Sequence, residues 1–276
     1  MVAGGAGKTP VAIAIGEMLK ELNIDFAYLS AGHGGKIKNF TSVNAKEYDS
    51  KAVGDEPLLL SEVATAFVSK NRLFGAKQIA LMPEKKLIVM DDGLQNPTLV
   101  KDFSIMVIDG NYGFGNGFII PCGPLREPVW IGIKKADLVI IVGEDKSRIA
   151  KNFCRGKKII KAKIKTVNGE KFYKKSVIAF CGIGRPEKFF DSLKQNNTNI
   201  ITKFSYADHH QYQEREIRKM INLAKKNKVR LVTTKKDWVR LEKMYQKQID
   251  YLDIKIEFDD PSYLKDKLIK LANGQN

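Results

Sequence analysis

Gly4-Gly5-Ala6-Gly7-Lys8-Thr9 is the stretch whose residue types and spacing most clearly carry chemistry. Glycines let successive backbone N–H groups turn inward around phosphate oxygens. A helix starting here adds its positive end, Lys8 can reach the β- and γ-phosphates, and the Thr9 hydroxyl can ligate Mg²⁺. Gly4, Gly5, Ala6, Gly7, Lys8 and Thr9 therefore read as a nucleotide-binding loop of the Walker A kind. Val2 stands where the general pattern has its first glycine. The bland alternative is a glycine-rich turn with a chance Lys-Thr.

A second acidic element, Asp91-Asp92, directly follows the apolar run Leu87-Ile88-Val89-Met90. Carboxylates at the end of a parallel strand hold Mg²⁺ directly or through water, as a Walker B aspartate does. The alternative is an Asp-Gly turn closed by Gly93. Phosphoryl transfer is mostly positioning and electrostatics, so a planar guanidinium near the phosphates is expected. Arg126, in a Pro/Gly-rich loop, and Arg72 are the candidates, with Arg72 open to being an ordinary surface arginine. From the residues alone, Asp55 in Gly54-Asp55-Glu56-Pro57 reads as a helix N-cap followed by a first-turn proline. His209 and His210 read as two histidines in a polar turn.

The elements that must position these groups alternate between apolar strand-like runs and helical spacing, the α/β pattern. Helical periodicity follows Thr9 through Val11, Ile13, Ile15, Met18, Leu19 and Leu22. Strands are expected at Phe26–Leu29, Leu87–Met90, Ile105–Ile108 and Leu138–Val142. The second and fourth of these are apolar throughout, as central parallel strands buried on both faces should be. Residues 145–175 are dense in Lys and Arg, with β-like pieces over Lys158–Lys165, and a hinge is expected near 145–160. A second α/β set follows: Val177–Cys181, a helix near Pro186–Lys194, Ile200–Phe204, a helix from Gln213 to Asn227, and Leu231–Thr234. The division is thus 1–150 for a nucleotide-binding and catalytic domain and 151–276 for a smaller α/β domain. Gly182-Ile183-Gly184-Arg185-Pro186 lacks the third glycine and later acidic residue of a dinucleotide loop, so it is not read as a second nucleotide site.

With 47 Lys plus Arg against 31 Asp plus Glu, the net charge of +16 suits an anionic partner without choosing between nucleic acid, a membrane surface and a phosphorylated substrate. Nucleic acid is set aside, because no interleaving of aromatic and basic residues supports it. Cys122, Cys154 and Cys181 form neither a disulfide framework nor a metal-ligand pattern, which fits a reducing compartment. No apolar run of ~20 residues is present to form a membrane span. The opening Met1-Val2-Ala3-Gly4-Gly5 is read as leaving no room for a leader.

The ordered series of motifs resembles one family, tetraacyldisaccharide 4′-kinase. It begins with Ala3-Gly4-Gly5-Ala6-Gly7-Lys8-Thr9-Pro10, Gly32-His33-Gly34-Gly35-Lys36, Gly54-Asp55-Glu56-Pro57 and Asp91-Asp92-Gly93-Leu94-Gln95. It continues with Phe114-Gly115-Asn116-Gly117, Gly123-Pro124-Leu125-Arg126-Glu127 and Gly182-Ile183-Gly184-Arg185-Pro186. Asp208-His209-His210 and Thr233-Thr234-Lys235-Lys236-Asp237 complete it. The resemblance implies two α/β/α domains with mainly parallel sheets, joined by a hinge around an active cleft. It implies an ATP- and Mg²⁺-dependent kinase of lipid A biosynthesis that phosphorylates the 4′-hydroxyl of an acylated glucosamine disaccharide 1-phosphate. The acceptor would be met at an anionic membrane surface, with the protein peripheral on the cytoplasmic face of the bacterial inner membrane.

The same resemblance gives roles. Asp55 and His209 become a pair that activates the acceptor hydroxyl, brought together by hinge closure. Lys8 and Arg126 join them as catalytic residues, and Thr9, Asp91, Asp92 and, more loosely, Glu56 are the expected metal ligands. Several positions depart from the family pattern. Ala31 and His33 replace an Arg and an aromatic, Asn96 replaces a His, and Lys235 stands where a Glu is usual. Ala31, His33 and Asn96 together point to weakened or altered activity, and Lys235 leaves the ionic role of its position open. Relatives are also expected to carry ~40 residues ahead of the phosphate loop, the length of a membrane-associated helix and a strand. The alternatives to the kinase are a P-loop NTPase acting as a switch and an inactive, truncated remnant of the kinase.

Overall fold

The computed structural model describes residues 2 and 4–275, so Ala3 of the first motif lies outside the described residues. Gly7, with φ 87°, ends the phosphate loop and starts α1 (Lys8–Glu21), whose apolar spacing buries Val11, Ile15, Met18 and Leu19. There follow β1 (Phe26–Ser30), β2 (Thr41–Ser42), α2 (Ser50–Val53), α3 (Asp55–Ser61), β3 (Ala66–Val68), α4 (Arg72–Ala80) and β4 (Leu87–Met90). These strands form a sheet in the order β2-β3-β1-β4.

A second sheet is built from β5 (Ile105–Asp109), β6 (Leu138–Val142) and β7 (Lys158–Thr166), with α5 (Val129–Lys135) and α6 (Ile149–Phe153) covering one face. β6 is buried at every residue, as its unbroken Leu-Val-Ile-Ile-Val run requires. The smaller domain contains β8 (Ser176–Cys181), α7 (Pro186–Gln195), β9 (Asn199–Ser205), α8 (Glu214–Lys226) and β10 (Arg230–Thr234). It ends with α9 (Lys235–Trp238), α10 (Lys243–Gln246) and β11 (Asp250–Leu252). Its parallel sheet runs β11-β10-β8-β9, with α8 and α10 on one face and α7 on the other.

The chain then returns. β12 (Ile254–Phe258) pairs antiparallel with β7, and α11 (Ser262–Ala272) places Leu264 and Leu268 in the core that α1 shares. The division at 150 is therefore corrected. The first domain runs to Thr166 and takes back residues 254–275, and the second is the inserted segment between them. Composition marked the basic stretch, but the pairing of β7 with β6 is what assigns it.

The strand expected at Leu87–Met90 forms as β4. Among the described residues β4 pairs only with β1, and β5 only with β6. The facing edges of β4 and β5 line a cleft of about 650 Å³ beside Val11 and Ile15 of α1. Leu87–Met90 is accordingly half-buried rather than enclosed on both faces. The two half-sheets are joined by the core beneath α1, which includes Tyr28 and Val68 from one and Ile140 and Ile160 from the other.

Candidate active site

Gly4, Gly5 and Gly7 all have positive φ, which lets the loop fold its N–H groups into a cradle at the start of α1. A Cβ at Gly7 would meet nothing within 4 Å, so the mouth of the cradle is open. Lys8 Nζ lies 3.5 Å from Asp92 Oδ1 and 3.3 Å from the Val2 carbonyl. The Thr9 hydroxyl donates to Asp91 Oδ2 at 2.8 Å, closing the loop onto the end of β4.

The two adjacent aspartates differ in environment. Asp92, at φ 57°, receives Arg126 Nη1 at 2.7 Å as well as Lys8. Burial alone would raise its carboxyl, but Lys8 and Arg126 hold it below the ordinary carboxylate range. Asp91 is enclosed and has no such partner. Burial, with Glu56 and Asp92 adding repulsion, pushes it up to about 6 against the pull of Thr9 and Lys8. A buried carboxylate left uncompensated beside a hydroxyl is the donor set a hard divalent cation takes.

Arg72 is not a surface residue. It is buried at the start of α4, where Nη1 donates to the Ser69 carbonyl at 2.6 Å and Nε has no partner. Gln95 makes a loop bond, donating to Glu127 Oε1 at 2.7 Å.

Across the cleft, Asp55 is the first residue of α3, yet its side chain caps nothing; Gly54 occupies the cap position. The carboxylate is buried and faces the second domain, where His209 Nδ1 lies 2.9 Å from Oδ2 and Arg240 Nε donates to the same oxygen at 2.7 Å. Burial raises its carboxyl, but the bonds from His209 and Arg240 outweigh this and leave it below the ordinary value. The pair expected to need closure is already assembled. His209 has φ 60°, a left-handed conformation that a non-glycine residue keeps only when its surroundings enforce it. His33, one of the departures from the family pattern, meets the His209 ring edge-on at 5.6 Å.

Glu56 lies near enough to Asp91 for their charges to repel, and its carboxylate also faces the second domain. Its Oε1 is held by Lys236 Nζ at 2.7 Å, and that ammonium also lies 3.3 Å from His209 Nε2. Asp55, Glu56 and His209 are spaced as a metal cluster could be, but Lys236 already supplies a positive charge there. Asp92 is ion-paired with Lys8 and Arg126, whereas Asp91 is hydrogen-bonded to the Thr9 hydroxyl. Lys235, whose ionic role the family pattern left open, bridges Glu62 at 2.8 Å and Asp253 at 3.0 Å. His210 stacks on Tyr206 at 4.6 Å and pairs with Glu216 at 3.0 Å, away from the acidic centre.

The turn Gly182–Pro186, set aside as a second nucleotide site, instead packs against the phosphate loop. A Cβ at Gly184 would come within 3.2 Å of the Gly5 nitrogen. Arg185 stacks on Tyr112 with its guanidinium 3.6 Å from the ring centre, and it pairs with buried Asp109. Lys188 Nζ reaches Asp109 at 2.5 Å and the Gly5 carbonyl at 3.3 Å. Sequence reading missed Asp109, Arg185, Lys188, Lys236 and Arg240 as members of the site. Arg185 and Lys236 do fall within motifs of the family series, whereas Asp109, Lys188 and Arg240 carry no signal in the chain.

The family model described as tetraacyldisaccharide-1-P 4′-kinase matches residues 1–273. The chain is similar to the tetraacyldisaccharide 4′-kinase of Rhodospirillum rubrum, at 39% identity over all of this chain and 84% of that protein. It is similar also to the one from Rhodospirillum centenum, at 37% identity over all of this chain and 82% of that protein. Among solved structures, "apo" form LpxK from Aquifex aeolicus in complex with ATP matches with a TM-score of 0.76 over 98% of this chain and 86% of that one. At 22% identity this likeness bears on the fold.

Proposed function

Because the chain belongs to the tetraacyldisaccharide-1-P 4′-kinase family, we propose that it transfers the γ-phosphoryl of ATP to the 4′-hydroxyl of a tetraacyldisaccharide 1-phosphate, with its residues in the following roles. The nucleotide phosphates take the cradle of Gly4, Gly5, Ala6 and Gly7, with Lys8 on the terminal phosphates. Arg126, tethered to Asp92, is positioned to meet charge that develops on the transferring group. Thr9 and Asp91 would hold Mg²⁺, which supplies charge neutralisation at the phosphate oxygens when bound.

The observation that carries the reading is the Asp55–His209 contact of 2.9 Å between the two domains. The acceptor hydroxyl loses its proton to this pair as its oxygen attacks the γ-phosphorus. The bond from that phosphorus to the β,γ-bridging oxygen breaks, and ADP leaves with the electron pair. Glu56, Asp208 and Lys236 surround the imidazole and help to exclude water from it.

The partner surface follows from the acceptor's chemistry. The loop after β5 exposes Phe118, Ile119 and Ile120, and Trp130, the second residue of α5, is 69% exposed. Apolar side chains beside a basic protein suit an acylated acceptor in an anionic bilayer, where each nearby Lys or Arg contributes about 1 kcal/mol. No described helix is long and apolar enough to cross a membrane. We place the chain at the cytoplasmic face of the bacterial inner membrane.

The test is transfer of labelled γ-phosphate to tetraacyldisaccharide 1-phosphate in mixed micelles, by the parent and by Asp55→Asn. Loss of ~10²–10⁴ in kcat with unchanged ATP affinity is expected. Phosphate release without acceptor, equal in both proteins, would instead indicate a nucleotide-driven switch.

A further inference from the structure

Arg240 belongs to none of the motifs that mark the family, yet its side chain is fully enclosed. It follows α9 in the second domain, and it reaches 185 positions back along the chain to Asp55 in the first. At its other end, Nη1 donates to Asp237 Oδ1 at 2.7 Å and to the Gly182 carbonyl at 2.8 Å. Asp237 is itself fixed, accepting from the Gly182 N–H at 2.9 Å and the Tyr212 hydroxyl at 2.8 Å. One guanidinium thus ties the carboxylate of the proposed proton-accepting pair to the floor of the opposite domain.

The donors converge on a single oxygen. Arg240 Nε and His209 Nδ1 both fall on Asp55 Oδ2, and Arg240 Nη2 lies 2.7 Å from it at an angle that makes no hydrogen bond. A carboxylate oxygen loaded this way acts as an acceptor, so the bond from His209 requires its proton on Nδ1. The lone pair then sits on Nε2, which faces Lys236 at 3.3 Å and, at 3.8 Å each, Glu56 and Asp208. The fork also fixes where Asp55 lies, since a planar guanidinium bound at both ends holds its partners in direction as well as distance.

We propose that Arg240 is a positioning residue for phosphoryl transfer: by pinning Asp55 to the second domain it presents His209 as the Nδ1–H tautomer, with the Nε2 lone pair, which the Lys236 ammonium faces, as the one that takes the acceptor's proton. This rests on the reading of Asp55 and His209 as the proton-accepting pair. It also makes contact between the domains a condition for a competent base. Lysine at this position carries the charge but not the fork, so it restores part of the arrangement.

The experiment uses the full chain with Arg240→Met and Arg240→Lys, and two readouts. The first is steady-state kinetics with ATP and the acylated disaccharide. The second is the long-range ¹H–¹⁵N imidazole spectrum, which three histidines keep simple and His209→Ala assigns. For Arg240→Met, kcat should fall ~10²-fold, as for a misplacement of about 1 Å. KM for ATP should stay within about twofold, because Arg240 touches no part of the phosphate loop, and His209 should lose its Nδ1–H signature. Arg240→Lys should recover about tenfold in kcat together with part of that signature.

An unchanged tautomer in Arg240→Met, whether kcat falls or not, would overturn the proposal, because a merely structural arginine leaves it unmoved. Should that variant not fold, a folded Arg240→Lys with the parent's spectrum and kcat would overturn it equally. His209→Ala with the parent's kcat would sink the proton-acceptor reading itself. An altered tautomer in Arg240→Met would then still show that Arg240 orients His209, which separates the two failures.

Discussion

Asp91→Asn turns the electrostatics of the metal site into a measurable stability. The Asp91 carboxyl is pushed up to about 6 from an ordinary 3.8, chiefly by burial. At 1.36 kcal/mol per tenfold change in acidity, that gap corresponds to about 3 kcal/mol. Because the folded-state value is the higher one, this stability is fully present below about pH 4 and is lost as pH rises through about 6. Asn keeps the shape and can still accept from the Thr9 hydroxyl, but it carries no charge. In metal-free buffer the variant should therefore be more stable than the parent by up to about 3 kcal/mol at pH 8. About half of that difference should remain at pH 5. Urea denaturation at the two pH values measures it, and taking the difference between proteins cancels every other titrating group. Saturating Mg²⁺ should stabilise the parent by RT ln(1 + [Mg²⁺]/Kd), about 2.7 kcal/mol at 100 times Kd, and leave the variant unmoved. Transfer activity should be lost in the variant even though it is the more stable protein. If Asn destabilises the protein equally at pH 8 and pH 5, Asp91 is already compensated in the metal-free state, and the argument that it awaits a cation fails.

Further outcomes follow from contacts at the edges of the site. Gly5→Ala places a Cβ 2.9 Å from Arg185 Cγ at a residue with φ 66°. It should cost about 1–2 kcal/mol in a thermal melt and raise KM for ATP, since loop and turn must part. His210→Ala removes the stack on Tyr206 and the pair with Glu216, and should cost about 1 kcal/mol in stability. Its kcat should stay within about twofold of the parent, because His210 makes no contact with Asp55 or Glu56; a larger fall would place His210 in the chemistry.

What could be read from the chain is what short stretches determine. Gly4 to Thr9 and the spacing of Val11, Ile15 and Leu19 specify a phosphate loop and its helix, and β6 announces its burial by composition alone. Leu87–Met90 pairs with β1 alone among the described residues, and which segments flank an apolar strand is decided far along the chain. The return of β12 and α11 to the first domain left no compositional trace, and a boundary drawn from charge density fell short of β7. At the site, Gly54-Asp55-Glu56-Pro57 reads locally as a helix cap followed by a first-turn proline. The partners of the Asp55 carboxylate, His209 and Arg240, lie 154 and 185 positions away. Resemblance to a family identified the histidine, whereas no local pattern identified the arginine.

Helix α1 touches both half-sheets of the first domain. Among the described residues β4 and β5 share no backbone ladder, and the side chains beneath α1 pack against both half-sheets. The helix is an axle on which both halves are mounted, and its first residues are the ones that grip phosphate. A nucleotide held there acts as a cross-brace, because whatever restrains the start of α1 restrains both half-sheets together. Amide exchange would register this as slowing that reaches β1 and β6, strands that touch no part of the ligand.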